Sequence, residues 1–154
     1  MPRSERHTKH WPTKEKFYSA QITTSSGDYF PEGVEIDAAT EDAAIRVYVP
    51  HDFAKLEDLV LVVIPIAPAD PMWIQVVSEY NIAGKDYNEH TETLYFSFTA
   101  VPDRITEIDI SEVVDTVALE AGDYIYLTAS RQAALPVENT DCYVSGVRLK
   151  YKYR

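Results

Sequence analysis

Alternation of apolar and polar positions dominates this chain. In "YVSGVRLKYKYR" (143 to 154), Val147, Leu149, Tyr151 and Tyr153 fall on one side, and Arg148, Lys150, Lys152 and Arg154 on the other. A period of two is the signature of a half-buried strand. "AIRVYV" (44 to 49) sets Ile45, Val47 and Val49 against Arg46 and Tyr48, and Pro50 stops it. "TLYFSFTAV" (93 to 101) sets Leu94, Phe96, Phe98 and Ala100 against Tyr95, Ser97 and Thr99. "MWIQVVSEY" (72 to 80) and "GDYIYLTAS" (122 to 130) alternate as well, while "KFYSAQITT" (16 to 24) and "RITEIDI" (104 to 110) read as further strands. "LVLVVIPI" (59 to 66) is apolar on both faces, as a covered central strand must be, with Pro65 at its end. "HDFAKLED" reads as a single helical turn, and Ser111 opens one or two more in "SEVVDTVAL".

About eight strands joined by turns predict an all-β fold, an antiparallel two-sheet β-sandwich with one or two short helical turns. Jelly roll is the favoured topology. An immunoglobulin-like sandwich is the rival, without its Cys…Trp…Cys signal. Leu59, Leu61, Val63, Phe96, Phe98, Ile125, Leu127, Val147 and Leu149 are the expected core.

Composition changes this picture in two places. The chain has 154 residues, enough for one domain with a real core, and eleven Tyr against five Gly. The net charge of −11 argues against nucleic acid as a partner, yet residues 1 to 16 carry +3 and the remainder −14. The division is therefore a basic N-terminal arm (1 to 16) and a single sandwich domain (17 to 154). Arg3, Arg6, Lys9 and Trp11 on the arm, with Arg148, Lys150 and Lys152 on the last strand, are the expected partner-binding residues. Trp11 would plug an apolar pocket on a neighbouring subunit. No apolar run reaches the ~20 residues of a membrane span, and the N-terminus lacks the apolar core of a secretion signal. No membrane partner is expected.

Candidate chemistry is sparse. Cys142 stands alone in an alternating stretch and reads as a packed side chain. "GKDYNEHTET" (84 to 93) gathers Asp86, Glu89 and His90, which suit acid–base work, but nothing recognisable converges on them. It reads as the polar loop between two strands, braced by Asn88 with Tyr87 and His90. His7 and His10 would bind a metal weakly. Asp37, Glu41, Asp42 and Asp70 match no defined calcium loop. No catalytic residue, metal or cofactor is therefore assigned. Trp73, Tyr80, Tyr87 and Tyr95 are the candidates for a sugar-stacking platform, whose mark would be coplanar rings on an exposed face.

The segments "VYVPHDFAKLEDLVLVVIP" (47 to 65), "AGKDYNEHTETLYFSF" (83 to 98), "ITEIDIS" (105 to 111), "LEAGDYIYLTASR" (119 to 131) and "VSGVRLKYKY" (144 to 153) resemble, in style and order, small jelly-roll-like virion structural proteins of tailed phages and uncultured microbial sequences. The resemblance implies a non-enzymatic capsid-decorating, head-fibre or tail-associated subunit. It would be made in the host cytoplasm, carried in the virion, and bound to other virion subunits as a homo-oligomer, in the simplest case a trimer. A carbohydrate-binding β-sandwich module is the alternative.

Overall fold

The computed structural model describes residues 11–22, 28–36, 41–115, 117–131 and 141–154. Ten strands form two antiparallel sheets. They are β1 (Thr13–Ser19), β2 (Tyr29–Phe30), β3 (Gly33–Ile36), β4 (Asp42–Tyr48), β5 (Phe53–Pro65), β6 (Ala69–Ile82), β7 (His90–Ala100), β8 (Thr106–Asp109), β9 (Asp123–Arg131) and β10 (Cys142–Tyr153). One sheet runs β2-β3-β10-β5-β8, with β1 also on β10; the other runs β4-β9-β6-β7.

Pairing is nested. Strand β3 pairs β10, β4 pairs β9, β5 pairs β8 and β6 pairs β7. Within these eight strands the first thus meets the last, the second the seventh, and so inward to one hairpin. A long antiparallel ribbon rolled in this way is a jelly roll, with its double Greek key. Strands β1 and β2 are additions at the edge of one sheet.

The core lies between the sheets. Ile45, Val47, Leu59, Leu61, Val63, Ile74, Val76, Ile125, Leu127, Val147 and Leu149 are all buried. Phe96 and Phe98 point inward as expected but are only partly buried, because β7 is the sheet edge. The alternating positions of β10 were legible: Val147, Leu149 and Tyr151 are buried, while Arg148, Lys150 and Lys152 lie on the outer face.

The helical turn expected in "HDFAKLED" is instead the start of β5. Leu56 pairs with Tyr151 and Asp58 with Lys150, so Glu57 has no partner and the register shifts there. This bulge turns both Leu56 and Leu59 inward, three residues apart, and imitates a helical spacing. The second expected helix is one 3-10 turn, Ser111–Val113, and it is the only helix among the described residues.

A second bulge sits on β10, where Val144 pairs Val63 and Gly146 pairs Val62, leaving Ser145 extra. Gly146 has φ 156°, and a Cβ there would lie 2.2 Å from the Tyr18 carbonyl oxygen on β1. Only glycine lets β1 approach. We expect Gly146→Ala to lower the unfolding free energy by about 2 kcal/mol or more. A urea midpoint equal to that of the parent chain would contradict this packing.

Candidate functional site

The outer face of the β4-β9-β6-β7 sheet gathers aromatic side chains. Its cross-strand rows follow from the register. Tyr48 faces Tyr124, which faces Asn81; Arg46 faces Tyr126, which faces Glu79. Tyr48, Tyr124 and Tyr126 remain exposed although their neighbours Val47, Ile125 and Leu127 are buried. Two further tyrosines join from outside the sheet. Tyr18 of β1 donates its hydroxyl to the Tyr48 carbonyl at 2.7 Å, and burial pushes its own ionisation up. Tyr87, on the loop between β6 and β7, sets its ring edge-on to Tyr126 with centroids 6.0 Å apart.

These side chains line a groove of two lobes. One, of about 310 Å³, is walled by Tyr18, Arg46, Val47 and Tyr48; the other, of about 280 Å³, by Asn81, Ala83, Lys85 and Tyr87. Tyr124 and Tyr126 line both lobes. The rings do not form a flat platform, since Tyr48 and Tyr124 are inclined at 51° and Tyr87 and Tyr126 at 90°.

The loop "GKDYNEHTET" begins as expected, between β6 and β7. Its brace is Asn81, not Asn88. The Asn81 side-chain amide donates to the Asp86 carbonyl at 2.9 Å and to Glu89 Oε2 at 2.7 Å. The same side chain's oxygen accepts the Ile82 N–H. This holds Tyr87 beside the sheet. His90 stacks on Tyr80, centroids 5.0 Å apart.

Of the four residues expected to form a sugar platform, only Tyr87 belongs to the groove. Tyr80 points into the sandwich, buried, where its hydroxyl accepts the Asp115 N–H at 3.0 Å. Trp73 and Tyr95 lie on the outer face but toward the other end of β6 and β7. The Trp73 indole nitrogen is buried without a hydrogen-bond partner. The true lining was written in the polar half of two alternating strands, Arg46–Tyr48 and Tyr124–Tyr126.

The expected partner-binding residues divide. Arg3, Arg6 and Lys9 lie outside the described residues, as do His7, His10 and Asp37. Trp11 sits beneath the guanidinium of Arg154, 5.2 Å from the ring centroid. Residues 13 to 16, placed in the arm from sequence, form half of β1 and pair with β10 from Leu149 to Lys152. On β10, Arg148 meets Glu15, Asp58 and Glu107 at 3.3, 3.4 and 3.1 Å, and Lys152 meets Glu57 at 3.3 Å. Lys150 stands in register between Glu15 and Asp58. Arg148 and Lys152 are thus engaged by acids of their own sheet.

Elsewhere the ionisable groups are structural. Cys142 is fully buried, and burial pushes its thiol up to about 12, which leaves no reactive thiolate. Tyr151 is raised to about 12, first by burial and then by its hydrogen bond to Asp52. Asp123 is buried and shifted upward by desolvation, while its carboxylate accepts the Glu120 N–H at 2.6 Å. Among the described residues no group of His, Cys, Asp and Glu is arranged to hold a metal ion. No described helix is long and apolar enough to cross a membrane.

No protein-family model and no curated protein matches the chain. Solved structures do match. An isomalto-dextranase of Arthrobacter globiformis T6, complexed with panose, aligns at TM-score 0.51 and 15% identity, over 89% of this chain. This chain spans 23% of that enzyme's length. A family 11 carbohydrate-binding module from Clostridium thermocellum, complexed with a β-1,3-1,4-mixed-linked tetrasaccharide, aligns at TM-score 0.42 and 14% identity, over 90% of this chain and 87% of that one. The structure of infectious bursal disease virus, Gx strain, aligns at TM-score 0.35 and 15% identity, over 92% of this chain and 33% of that one. At these identities the likeness is one of fold.

Two measurements check the electrostatic assignments. Arg148→Gln leaves Glu15, Asp58 and Glu107 around an uncharged side chain. It should destabilise the chain by about 1 kcal/mol at low salt and by less at 0.5 M, since salt screens exposed carboxylates. An effect independent of salt would show that the ion pairs contribute nothing. Asp52 is held below the ordinary carboxylate range, chiefly by the hydrogen bond from Lys14, which straps β1 to the start of β5. A depressed carboxylate stabilises the fold above its unfolded value, about 3.9, and loses that contribution as pH falls through the folded value. Asp52→Asn should therefore flatten the acid side of the stability profile, and an unchanged slope in acid denaturation would contradict the strap.

Proposed function

We propose that the chain is a non-catalytic binding module that holds one carbohydrate chain in the tyrosine groove of its four-stranded sheet. The observation that carries this is the set of exposed tyrosines, Tyr48, Tyr87, Tyr124 and Tyr126, converging on two joined lobes. A tyrosine ring offers a flat apolar face to the C–H side of a sugar, and its hydroxyl offers a hydrogen bond to the rim. Each lobe is near the lower end of the ~300–1,000 Å³ typical of ligand pockets. Two lobes sharing a wall suit adjoining sugar units. The tilted rings favour a single flexible chain over a flat insoluble surface.

Catalysis on that chain is disfavoured by the lining. Glycoside hydrolysis ordinarily uses two carboxylates flanking the scissile bond, ~5–9.5 Å apart. Neither lobe has a carboxylate among its described lining residues, and Glu89, Glu120 and Asp123 gather instead in an adjoining cleft that shares Asn81, Ile82 and Lys85 with the second lobe.

A second reading, a virion subunit that acts by assembly, is favoured by the open edge of β7. This strand has eleven residues and, among the described residues, pairs on one side only, so a neighbouring subunit's strand would extend the sheet there. That reading expects a homo-oligomer in sedimentation and a fixed copy number in purified particles. A monomer absent from particles would remove it.

For the carbohydrate reading, Tyr124→Ala should reduce affinity for the bound oligosaccharide about tenfold or more, because Tyr124 walls both lobes. Tyr95→Ala, on the same face but away from the groove, should not change it. Equal effects of the two substitutions, or retention of no oligosaccharide by the full chain, would overturn the assignment.

A further inference from the structure

The four-stranded sheet has one covered edge and one open edge. At β4 the edge is occupied: Gln21 and Ala44 exchange two backbone hydrogen bonds, at 2.7 and 3.1 Å, and the Tyr18 hydroxyl donates to the Tyr48 carbonyl. The other sheet ends on short strands, β2 of two residues and β8 of four, and its added strand β1 carries Lys14, Glu15 and Lys16. Edges that are short, covered or charged resist pairing with another chain. Strand β7 has none of these protections. It keeps an unbroken register with β6 from His90 to Phe98, holds no proline or lysine, and carries one carboxylate, Glu92. Among the described residues nothing pairs with its outer edge.

The side chains of β7 are complementary to themselves. On the inner face Leu94, Phe96 and Phe98 pack against the core yet stay partly exposed, because the sheet stops there. On the outer face Thr93, Tyr95, Ser97 and Thr99 are exposed, and each carries a hydroxyl. Antiparallel pairing of two copies about Phe96 sets Phe96 against its counterpart and Leu94 against Phe98, with Thr93 against Thr99 and Tyr95 against Ser97 outside. Every inner residue from Leu94 to Phe98 then meets an apolar one, and every outer one a hydroxyl. Pairing about Tyr95 would instead press Glu92 onto Phe98. In the Phe96 register the two Glu92 residues lie eight positions apart, about 27 Å, well beyond the ~8 Å over which exposed charges act. Strand β8, packed below β7, is acidic, but Glu107 is engaged by Arg148 and Asp109 by Ser111.

We propose that β7 joins β7 of a second copy, antiparallel about Phe96, in a two-fold dimer with one continuous eight-stranded sheet. The inference starts from the open edge on which the assembly reading rests and assigns its partner, register and symmetry; it does not depend on what the groove holds. A strip of eleven residues is about 37 Å long, and at a depth of ~10–15 Å it buries on the order of 500 Å² per copy. The total is close to the ~1,000 Å² of the smallest specific interfaces, which suits a dimer of micromolar strength. A two-fold axis that reverses a strand within one sheet stands perpendicular to that sheet, so both tyrosine grooves open to the same side. Two sites on one side can engage one long chain together, and the second contact is then intramolecular.

The test uses the full chain. Sedimentation should show a monomer–dimer equilibrium, half-associated at about 10 µM. Raising salt from about 0.05 to 0.5 M should leave it unchanged or strengthen it, because apolar and backbone contacts hold the pair while the acidic bodies repel. Phe96→Lys sets an inward charge on the edge and should leave a monomer at about 100 µM. The register is read by oxidation of T93C/T99C, whose changes fall on exposed positions. The double variant should give a disulfide-linked dimer, and T93C or T99C alone should not, since each cysteine then faces a threonine. Within one chain the two positions are about 20 Å apart, too far to bridge, and Cys142 is buried. If F96K does not fold, the cysteine variants decide alone. A parent chain monomeric at about 100 µM, a dimer lost at high salt, a folded F96K that still dimerises, or a double variant that links no better than the single ones would overturn the proposal. Each of these leaves the carbohydrate reading standing, and a fixed copy number in particles would still uphold the assembly reading.

Discussion

Strand β10 is the constraint on which the rest of the sandwich depends. It pairs with β5 along one edge, and with β3 and then β1 along the other. Its inner face contributes Val144, Val147, Leu149 and Tyr151 to the core, each buried. Strand β10 therefore closes the roll, joining β1 and β3 from the start of the described chain to β5. Such non-local pairing makes the fold slow to form but leaves few open edges once formed. The extra Ser145 and the side-chain-free Gly146 let β3 and β1 share one edge of the same strand.

That architecture was largely legible because the chain alternates where the sheets have one wet face. The two-sided run "LVLVVIPI" was read as a central strand, and β5 does lie between β10 and β8. What misled was a bulge. With Glu57 unpaired, Leu56 and Leu59 both turn inward, and an i, i+3 repeat reads as helix when no partner strand is visible. The start of β1 was hidden for a different reason. "TKEK" is polar throughout, and Thr13 to Lys16 join the sheet by backbone pairing with β10, without burying side chains.

The site was less legible than the fold. Composition announced the tyrosines but not which of them meet. Tyr80 and Tyr87 are seven positions apart, yet one is buried under the 3-10 turn and the other walls the groove. Tyr48 and Tyr124 are separated by about half of the chain, and only the β4–β9 register sets them opposite each other. Charge is likewise incomplete when read along one strand. The row Arg148, Lys150, Lys152 looks like a docking ribbon in one strand, whereas the flanking strands bring Glu15, Glu57, Asp58 and Glu107 to Arg148 and Lys152. A charge pattern on one strand states nothing about its neighbours.

The shape of the groove follows from sheet geometry as much as from residue choice. Adjacent strands are rotated by about 20–25° through the right-handed twist of a sheet, so rings on successive strands are inclined to one another. Tyr48 and Tyr124, directly opposite at 5.1 Å, meet at 51°, more than the twist alone supplies. A cross-strand aromatic pair contributes only about 0.2–1 kcal/mol to a sheet, and that would be a sufficient reason for those two alone. It does not explain Tyr87, which comes from a loop and is set edge-on against Tyr126 by the Asn81 brace. Sheet stabilisation accounts for one pair of rings, and the placing of Tyr87 is owed to the braced loop.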